Sequence, residues 1–227
     1  GPLPARGVRA LAAAGSGRGR SFGSAIGPCA VLLASIVSMA DLAHAHGRPP
    51  SLQRIVRDPT DSAHLVAQAT WGLASSLDDG ATWQWSCAAA FDVDPRMEDP
   101  RIAFLPTGDL YLTTFGGLYA TADQCSYAAD ADPRFGGYPI DLATDPLGGL
   151  FVALNVAFET DELWYREPSG AWTLRGPVGT NEDLVDTLVV APSDPAHVYT
   201  GGGSIRQPDL SRRIFVQHSR DAGRSFE

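Results

Sequence analysis

The chain has 227 residues, of which 44% are apolar and 19% are charged, and its formal net charge is −9. This composition excludes a disordered chain, because enough apolar side chains are present to bury a sizeable core. It also argues against a nucleic-acid partner, since such proteins need clustered basic residues to contact phosphates.

The N-terminal segment, residues 1–45, predicts a secretory signal peptide with an N-terminal extension. An Arg-rich start is followed by an almost wholly apolar run over 25–40 and by the A-x-A pattern of Ala43-His44-Ala45. The run is short and ends before Asp41, which argues against a membrane span. A retained N-terminal membrane anchor is the alternative to cleavage. We expect no membrane span in the mature part. We therefore expect a bacterial protein that is exported and then secreted or held at the cell surface, with cleavage after Ala45.

A short motif at residues 76–83 predicts a tight β-hairpin, because it fits the pattern S-x-D-x-G-x-T-W. Its aspartate can accept main-chain hydrogen bonds in an Asx turn, and its glycine permits a positive φ. Residues 219–226 repeat the pattern with Phe in place of Trp. The predicted structural residues are Ser76, Asp78, Gly80, Thr82 and Trp83 in the first copy, and Ser219, Asp221, Gly223, Ser225 and Phe226 in the second. We expect the Trp83 ring to be largely buried against its own hairpin.

The two motifs belong to four repeats. The aromatic residue that closes each repeat is Trp83, Tyr127, Trp172 or Phe226, and the intervals between them are 44, 45 and 54 residues. In the second repeat the motif, residues 121–127, is one residue short and lacks the glycine, and in the third repeat, at residues 167–172, it has lost the aspartate. Short apolar strands separated by Gly, Pro and Asp predict an all-β protein in which helices are scarce.

The repeats resemble the Asp-box (BNR) repeats of sialidase-superfamily β-propellers over roughly residues 50–227. The resemblance implies a propeller of four-stranded antiparallel blades near 50–90, 100–130, 138–176 and 184–227, which together form one domain over 46–227. Rings of this kind hold roughly six to eight blades, so we expect these four to be an incomplete part of a larger ring. The resemblance predicts the fold better than the function, since one fold hosts many functions.

Polar loops on the rim opposite the Asp-boxes are the candidate ligand site. The candidate ligand-binding residues are Asp92, Asp94, Arg96, Glu159, Asp161, Glu182, Asp183 and Arg206. Our first hypothesis is a non-enzymatic, monomeric propeller that binds a glycan or a protein. No cofactor and no metal site are expected, because the histidines show no zinc-ligand spacing. Gly201-Gly202-Gly203 opens no helix, so we expect a flexible loop there.

The alternative is an exo-sialidase-like glycoside hydrolase. Such an enzyme needs three arginines for the substrate carboxylate, an acid/base Asp and a Tyr–Glu pair. The nearest candidates, Arg54 and Arg101, do not match the family's arginine motif and are better interpreted as strand-end charges. No catalytic residue can be assigned.

Two cysteines, Cys87 and Cys125, remain after the predicted cleavage site. Export to an oxidising compartment and their placement in neighbouring blades predict a disulfide between them. Two separate thiols are the alternative, because Cys87 can lie several residues along its strand from the rim that holds Cys125.

Overall fold

The structure is a computed structural model that describes residues 51–70, 72–91, 99–130, 132, 138–156, 159–180, 183–205 and 211–227. All of these residues belong to the unit His46–Glu227. The predicted signal peptide lies outside the described residues.

The described residues form fifteen strands in four antiparallel sheets, together with one 3₁₀ helix, Ala88–Phe91. Blade 1 contains β1 (Leu52–Arg57), β2 (Leu65–Ala69), β3 (Gly72–Ser76) and β4 (Gln84–Cys87). Blade 2 contains β5 (Ile102–Phe104), β6 (Leu110–Thr114), β7 (Gly117–Thr121) and β8 (Ala128–Ala129). Blade 3 contains β9 (Tyr138–Thr144), β10 (Leu150–Asn155), β11 (Asp161–Arg166) and β12 (Trp172–Val178). Blade 4 contains β13 (Asp183–Val190), β14 (Val198–Ile205) and β15 (Arg212–Ser219).

Each sheet is a meander whose strands pair in chain order, and the four sheets are arranged as the blades of a propeller. The predicted all-β propeller of antiparallel blades is therefore confirmed. Three of the described sheets have four strands and the last has three.

Apolar cores between neighbouring blades hold the blades together. At the joint between blades 3 and 4, Phe151 and Leu163 pack with Leu188 and Val198, and none of these side chains is more than 1% exposed. Similar clusters fill the two other joints. Burying one side chain of this size contributes about 1.5–3 kcal/mol, so each joint stabilises the fold substantially.

The blades have two distinct rims. The lower rim holds the turns between first and second strands and the hairpins between third and fourth strands. The two kinds of turn touch there, since the Asp79 N–H donates to the carbonyl of Ala63 over 2.8 Å. The upper rim holds the starts of the first strands and the turns between second and third strands.

The hairpin at residues 76–83 forms the expected Asx-type turn. Ser76 Oγ accepts the Gly80 N–H at 2.9 Å, and Asp78 Oδ1 accepts the Thr82 N–H at 2.8 Å. The expected burial of Trp83 is wrong, because 43% of this residue is exposed. Its indole N–H donates to the Gly80 carbonyl over 3.0 Å, so the ring lies over its own turn instead of entering a core between blades.

The second motif copy has the same hydrogen bonds, from Gly223 N–H to Ser219 Oγ and from Ser225 N–H to Asp221 Oδ1. Both full-length copies contain two consecutive residues with positive φ, the second being the glycine. In the shortened copy, Gln124 is the residue with positive φ, at 55°. Deletion of one residue has therefore removed the glycine position and kept the turn, in which Asp123 accepts the Ser126 N–H at 2.8 Å.

The expected flexible loop at Gly201-Gly202-Gly203 is wrong, since all three glycines lie inside β14. Gly202 pairs with Val185 next to a β-bulge in β13. A Cβ atom on Gly202 would lie 2.0 Å from the carbonyl oxygen of Leu184. Glycine is present here because the bulge brings two main chains unusually close together.

Candidate functional site

Two aromatic rings are exposed on the upper rim between blades 2 and 3. Phe115 lies in the turn between β6 and β7, and Tyr138 begins β9. Their ring centroids are 4.6 Å apart at an interplanar angle of 38°, and 42% and 39% of the two residues are exposed. Rings presented in this way offer an apolar surface with a polar hydroxyl at its edge, which suits a ligand that is partly apolar and partly polar.

An arginine and a buried aspartate connect the inner strands of all four blades. Arg54 Nη1 of blade 1 lies 3.6 Å from Asp141 Oδ1 of blade 3 and donates to the Ile102 carbonyl of blade 2 over 3.4 Å. Asp141 Oδ2 accepts the Leu188 N–H of blade 4 at 2.8 Å. Because each contact joins a different pair of blades, this network fixes the arrangement of the blades around the axis.

The Asp141 carboxyl is only 1% exposed, and burial raises its pKa above the ordinary value. The charge of Arg54, the Leu188 and Leu142 amides and the charge of Arg101 oppose that rise. Asp141 thus combines a costly buried charge with several favourable contacts. Both of its oxygens are engaged by these groups, which leaves it poorly suited to proton transfer with a ligand.

Asp161, a predicted ligand-binding residue, is 1% exposed. Its carboxylate accepts the Asn155 side-chain amide at 2.8 Å and the Val185 N–H at 3.1 Å, and burial raises its pKa. Asp161 therefore connects blade 3 to the bulged strand of blade 4 and does not face solvent.

Of the other predicted ligand residues, two belong to the described part of the chain and five do not. Asp183 Oδ2 accepts the N–H and the hydroxyl of Thr180, both at 2.9 Å, so it closes a turn at the start of blade 4. Glu159 is exposed on the surface near the upper end of blade 3. The remaining predicted residues lie outside the described part of the chain: Asp92, Asp94, Arg96, Glu182 and Arg206.

A cavity of about 420 Å³ opens on the lower rim, where the ends of all four inner strands meet. Two charged residues, Arg57 and Asp145, line this cavity. Asp145 accepts the Gly149 N–H at 2.9 Å and the Tyr165 hydroxyl at 2.8 Å. Burial, followed by the bond to Asp145, raises the pKa of Tyr165 to about 12. These bonds tie the carboxylate to its own blade. Within the described residues, no group of three His, Cys, Asp or Glu side chains is arranged to hold a metal ion.

The structure does not support the predicted disulfide. Cys125 is an exposed free thiol in the shortened lower-rim hairpin. Cys87 pairs with Gly72 at the start of β3, whereas the lower-rim hairpin of blade 1 follows Ser76 at the end of that strand. The backbone thus places Cys87 near the upper end of its blade, and the four steps along the strand from Gly72 to Ser76 span about 13 Å at the usual rise of a strand.

The sequence did not predict a role for Phe115, Tyr138 or Asp141. Phe115 stands before two glycines in a turn between apolar strands, a position where an exposed aromatic is unusual. Asp141 interrupts an otherwise apolar strand, and an isolated charge at such a position indicates a buried contact.

Within the described residues, no helix is long and apolar enough to cross a membrane.

The sequence matches no family model and no curated protein. Similar solved structures include an ancestral GH74 enzyme, with a TM-score of 0.50 and 15% identity over 73% of this chain. A luciferin-regenerating enzyme has a TM-score of 0.50 and 12% identity over 78% of this chain. A Dyadobacter fermentans protein of unknown function has a TM-score of 0.50 and 14% identity over 78% of this chain. The chain spans 27%, 64% and 66% of these three proteins, respectively. At such identities the likeness concerns the propeller fold alone.

Proposed function

We propose that this chain is an Asp-box propeller, secreted or attached to the cell surface, that binds a glycan on its upper rim without catalysing a reaction. The observation that carries the proposal is the contact between the exposed rings of Phe115 and Tyr138. Sugar rings have apolar C–H faces that pack on aromatic rings and hydroxyl groups that bond to polar side chains. The Tyr138 hydroxyl and the exposed Glu159 of blade 3 supply polar groups on the same rim.

The Asp-box assignment rests on local hydrogen bonds that follow the motif residue by residue. In two hairpins the Ser hydroxyl accepts the glycine N–H, and the aspartate accepts the N–H of the Thr or Ser four residues on. The lower-rim aspartates use their oxygens in these turns. We therefore assign them a structural role and place the ligand on the other rim.

One observation favours the alternative function of a glycosidase. The charges of Arg54 and Arg101 both lower the pKa of Asp141 near the axis. Asp141, however, is buried and accepts hydrogen bonds from main-chain amides, which gives it a structural role. The charges of these two arginines therefore act in part on a structural carboxylate instead of on a ligand. A general acid must instead reach the substrate oxygen within hydrogen-bonding distance. The binding function is favoured for this reason.

The test is binding of the purified chain to a printed glycan array, followed by calorimetry with the strongest hit. The double variant Phe115→Ala/Tyr138→Ala should bind at least about tenfold more weakly, which corresponds to ~1.4 kcal/mol. The matched control is Trp83→Ala, which removes an equally exposed aromatic on the lower rim. Wild-type affinity in the double variant would refute the upper-rim site.

Two further outcomes separate the competing functions. Absence of any glycan hit, together with capture of a protein ligand that depends on Phe115 and Tyr138, would favour protein recognition. Hydrolysis of a fluorogenic sialoside that is lost in Arg54→Ala would favour the enzyme and overturn the non-enzymatic proposal.

A further inference from the structure

Two arginines from neighbouring blades meet where the lower-rim hairpin of blade 4 packs on the outer strand of blade 3. Arg175 lies in β12, and Arg224 lies in the hairpin that follows β15. The two segments touch, because a Cβ atom on Gly176 would lie 3.1 Å from the main-chain oxygen of Arg224. All the residues of this contact belong to the joint between blades 3 and 4.

A β-bulge directs the Arg175 side chain into this joint. The register of β11 and β12 shifts between Leu163 and Trp164, so that Arg175 is the extra residue of its strand. Bulges of this kind bend a strand locally and re-aim one side chain. The guanidinium carbon of Arg175 lies 4.3 Å from the ring centroid of Tyr165, whose side chain is buried in the core of the joint. This cation–π contact holds the half-buried guanidinium in one place.

Arg224 is held by the turn of its own hairpin. Its main-chain N–H donates to Asp221 Oδ1 over 3.0 Å, and its Nη1 donates to the Asp221 carbonyl over 2.9 Å. The second bond uses only one of the N–H groups of the guanidinium. Because the residue is exposed, its other donors can reach a group from solvent.

The positive charge of this pair is not neutralised by the part of the chain that the structure describes. Neither arginine forms an ion pair there, and the Arg175 Nε atom is buried without a hydrogen-bond partner. Burial lowers the pKa of Arg175, and the charge of Arg224 lowers it further, while Tyr165, Glu167 and Asp145 act in the opposite direction. Unpaired buried donors are rare in folded proteins, and a bound ion is one of the groups that accounts for them.

We propose that a dianionic phosphate group binds between the guanidinium groups of Arg175 and Arg224. Guanidinium groups bind phosphate oxygens through paired N–H···O bonds. A dianion matches the two positive charges, and its oxygens serve both guanidinium groups, whereas a carboxylate brings one charge and two oxygens. The group is free phosphate or the end of a phosphomonoester, which present the same chemistry to the site. The site lies on the rim opposite Phe115 and Tyr138, and it does not depend on the glycan site.

The test is calorimetric titration of the full 227-residue chain with sodium phosphate at constant ionic strength in chloride. Arg175→Gln and Arg224→Gln should each weaken binding at least about tenfold, because each removes charge-assisted hydrogen bonds. The matched control is Arg220→Gln, which removes an exposed arginine of the same hairpin that already pairs with Glu227 over 3.2 Å. Its affinity for phosphate should equal that of wild type.

The charge requirement is tested in two ways. Glu167→Gln should bind phosphate about twofold more tightly, since it removes a negative charge that acts on Arg175. Phosphate loses its second charge below a pKa of about 6, so its affinity should fall between about pH 8 and pH 5. Sulfate stays dianionic over this range and should bind with little change, which controls for titration of the protein. Acetate that binds as tightly as sulfate would overturn the assignment to a dianion.

The source of the phosphate group is distinguished by titrating a sugar phosphate beside inorganic phosphate. Tighter binding of the ester identifies a phosphomonoester, and tighter binding of the free anion identifies phosphate itself. The proposal is overturned if neither phosphate nor sulfate binds at about 10 mM. Binding that survives in the double variant Arg175→Gln/Arg224→Gln overturns it as well. Either result leaves the glycan test unaffected, because that test uses variants on the upper rim.

Discussion

Replacement of Gly202 by alanine tests how closely the bulge in β13 approaches β14. The new Cβ atom would lie 2.0 Å from the Leu184 carbonyl oxygen, 2.9 Å from its carbon and 3.0 Å from the Val185 Cα atom. Carbon and oxygen atoms normally approach only to about 3.3 Å. The two main chains must therefore separate by about 1 Å where they are paired in the sheet.

The expected cost follows from two opposing effects. Overpacking of a buried position costs about 1–3 kcal/mol, while alanine restricts the unfolded chain and returns about 0.4–1 kcal/mol. A net loss of about 1–2 kcal/mol lowers the melting temperature by roughly 2–8 °C for a folded unit of this size. Melting is followed by circular dichroism.

The matched control is Gly201→Ala in the neighbouring position of the same strand. Its Cβ atom would lie 3.4 Å from the Phe215 carbonyl oxygen, which is an ordinary contact. We expect an unchanged or slightly higher melting temperature for this variant. Equal melting temperatures for the two alanine variants would refute the argument that close approach of Leu184 requires a glycine at position 202.

Five further predictions address the turns, the buried charge, the thiol and the N-terminus. Trp83→Ala should lower the free energy of unfolding by about 1–2 kcal/mol, less than the ~3 kcal/mol of a core aromatic, because 43% of the residue is exposed; urea denaturation measures it, and a loss above that of a core residue would contradict the exposed placement. Burial raises the pKa of Asp141 above its ordinary 3.8, so native protein binds this proton more tightly than unfolded protein and the free energy of unfolding should fall as the pH rises from 3.8 through the raised pKa; Asp141→Asn should make that decline in the urea midpoint shallower, and an identical slope would argue against a buried carboxylate. Several hydrogen bonds lower the pKa of Asp78, and the one from the Thr82 hydroxyl has the largest effect. The stability that the Asp78 carboxylate contributes is therefore lost as the pH falls below 3.8, and the free energy of unfolding of Asp78→Asn should depend less on pH in this range. Cys125 should react with iodoacetamide in the native, non-reduced protein, and protection from it in mass spectrometry would restore the disulfide. N-terminal sequencing of the exported protein should begin at His46, whereas an intact N-terminus in the membrane fraction would favour the anchor.

The turns were predictable because their interactions are local. Ser76 and Asp78 bond to residues two to four positions away, so the motif contains both partners of each bond. The shortened hairpin follows the same rule, since Thr121 and Asp123 still find their partners after the deletion of one residue. The four repeats were visible for a related reason, because every blade uses the same alternation of strands and turns.

Contacts between blades were not predictable from the pattern. Arg54 and Asp141 are 87 positions apart in the sequence, and their ion pair exists only because the propeller brings two inner strands to one axis. Asp161 lies in a charged stretch of the sequence that is typical of a surface loop. In the structure, the bulged strand of the next blade covers it. Gly202 was assigned to a loop, because the close approach of Leu184 depends on a bulge in another strand.

The sequence by itself determined the strands, their turns and the face of each strand that is apolar, because alternation and turn chemistry act over a few residues. Only the tertiary structure decided which of those apolar faces is covered. Leu163 and Val216 occupy equivalent positions in consecutive blades, but one is 0% and the other 75% exposed. The difference arises because burial depends on the presence of a neighbouring sheet, which the residues of a single strand do not encode.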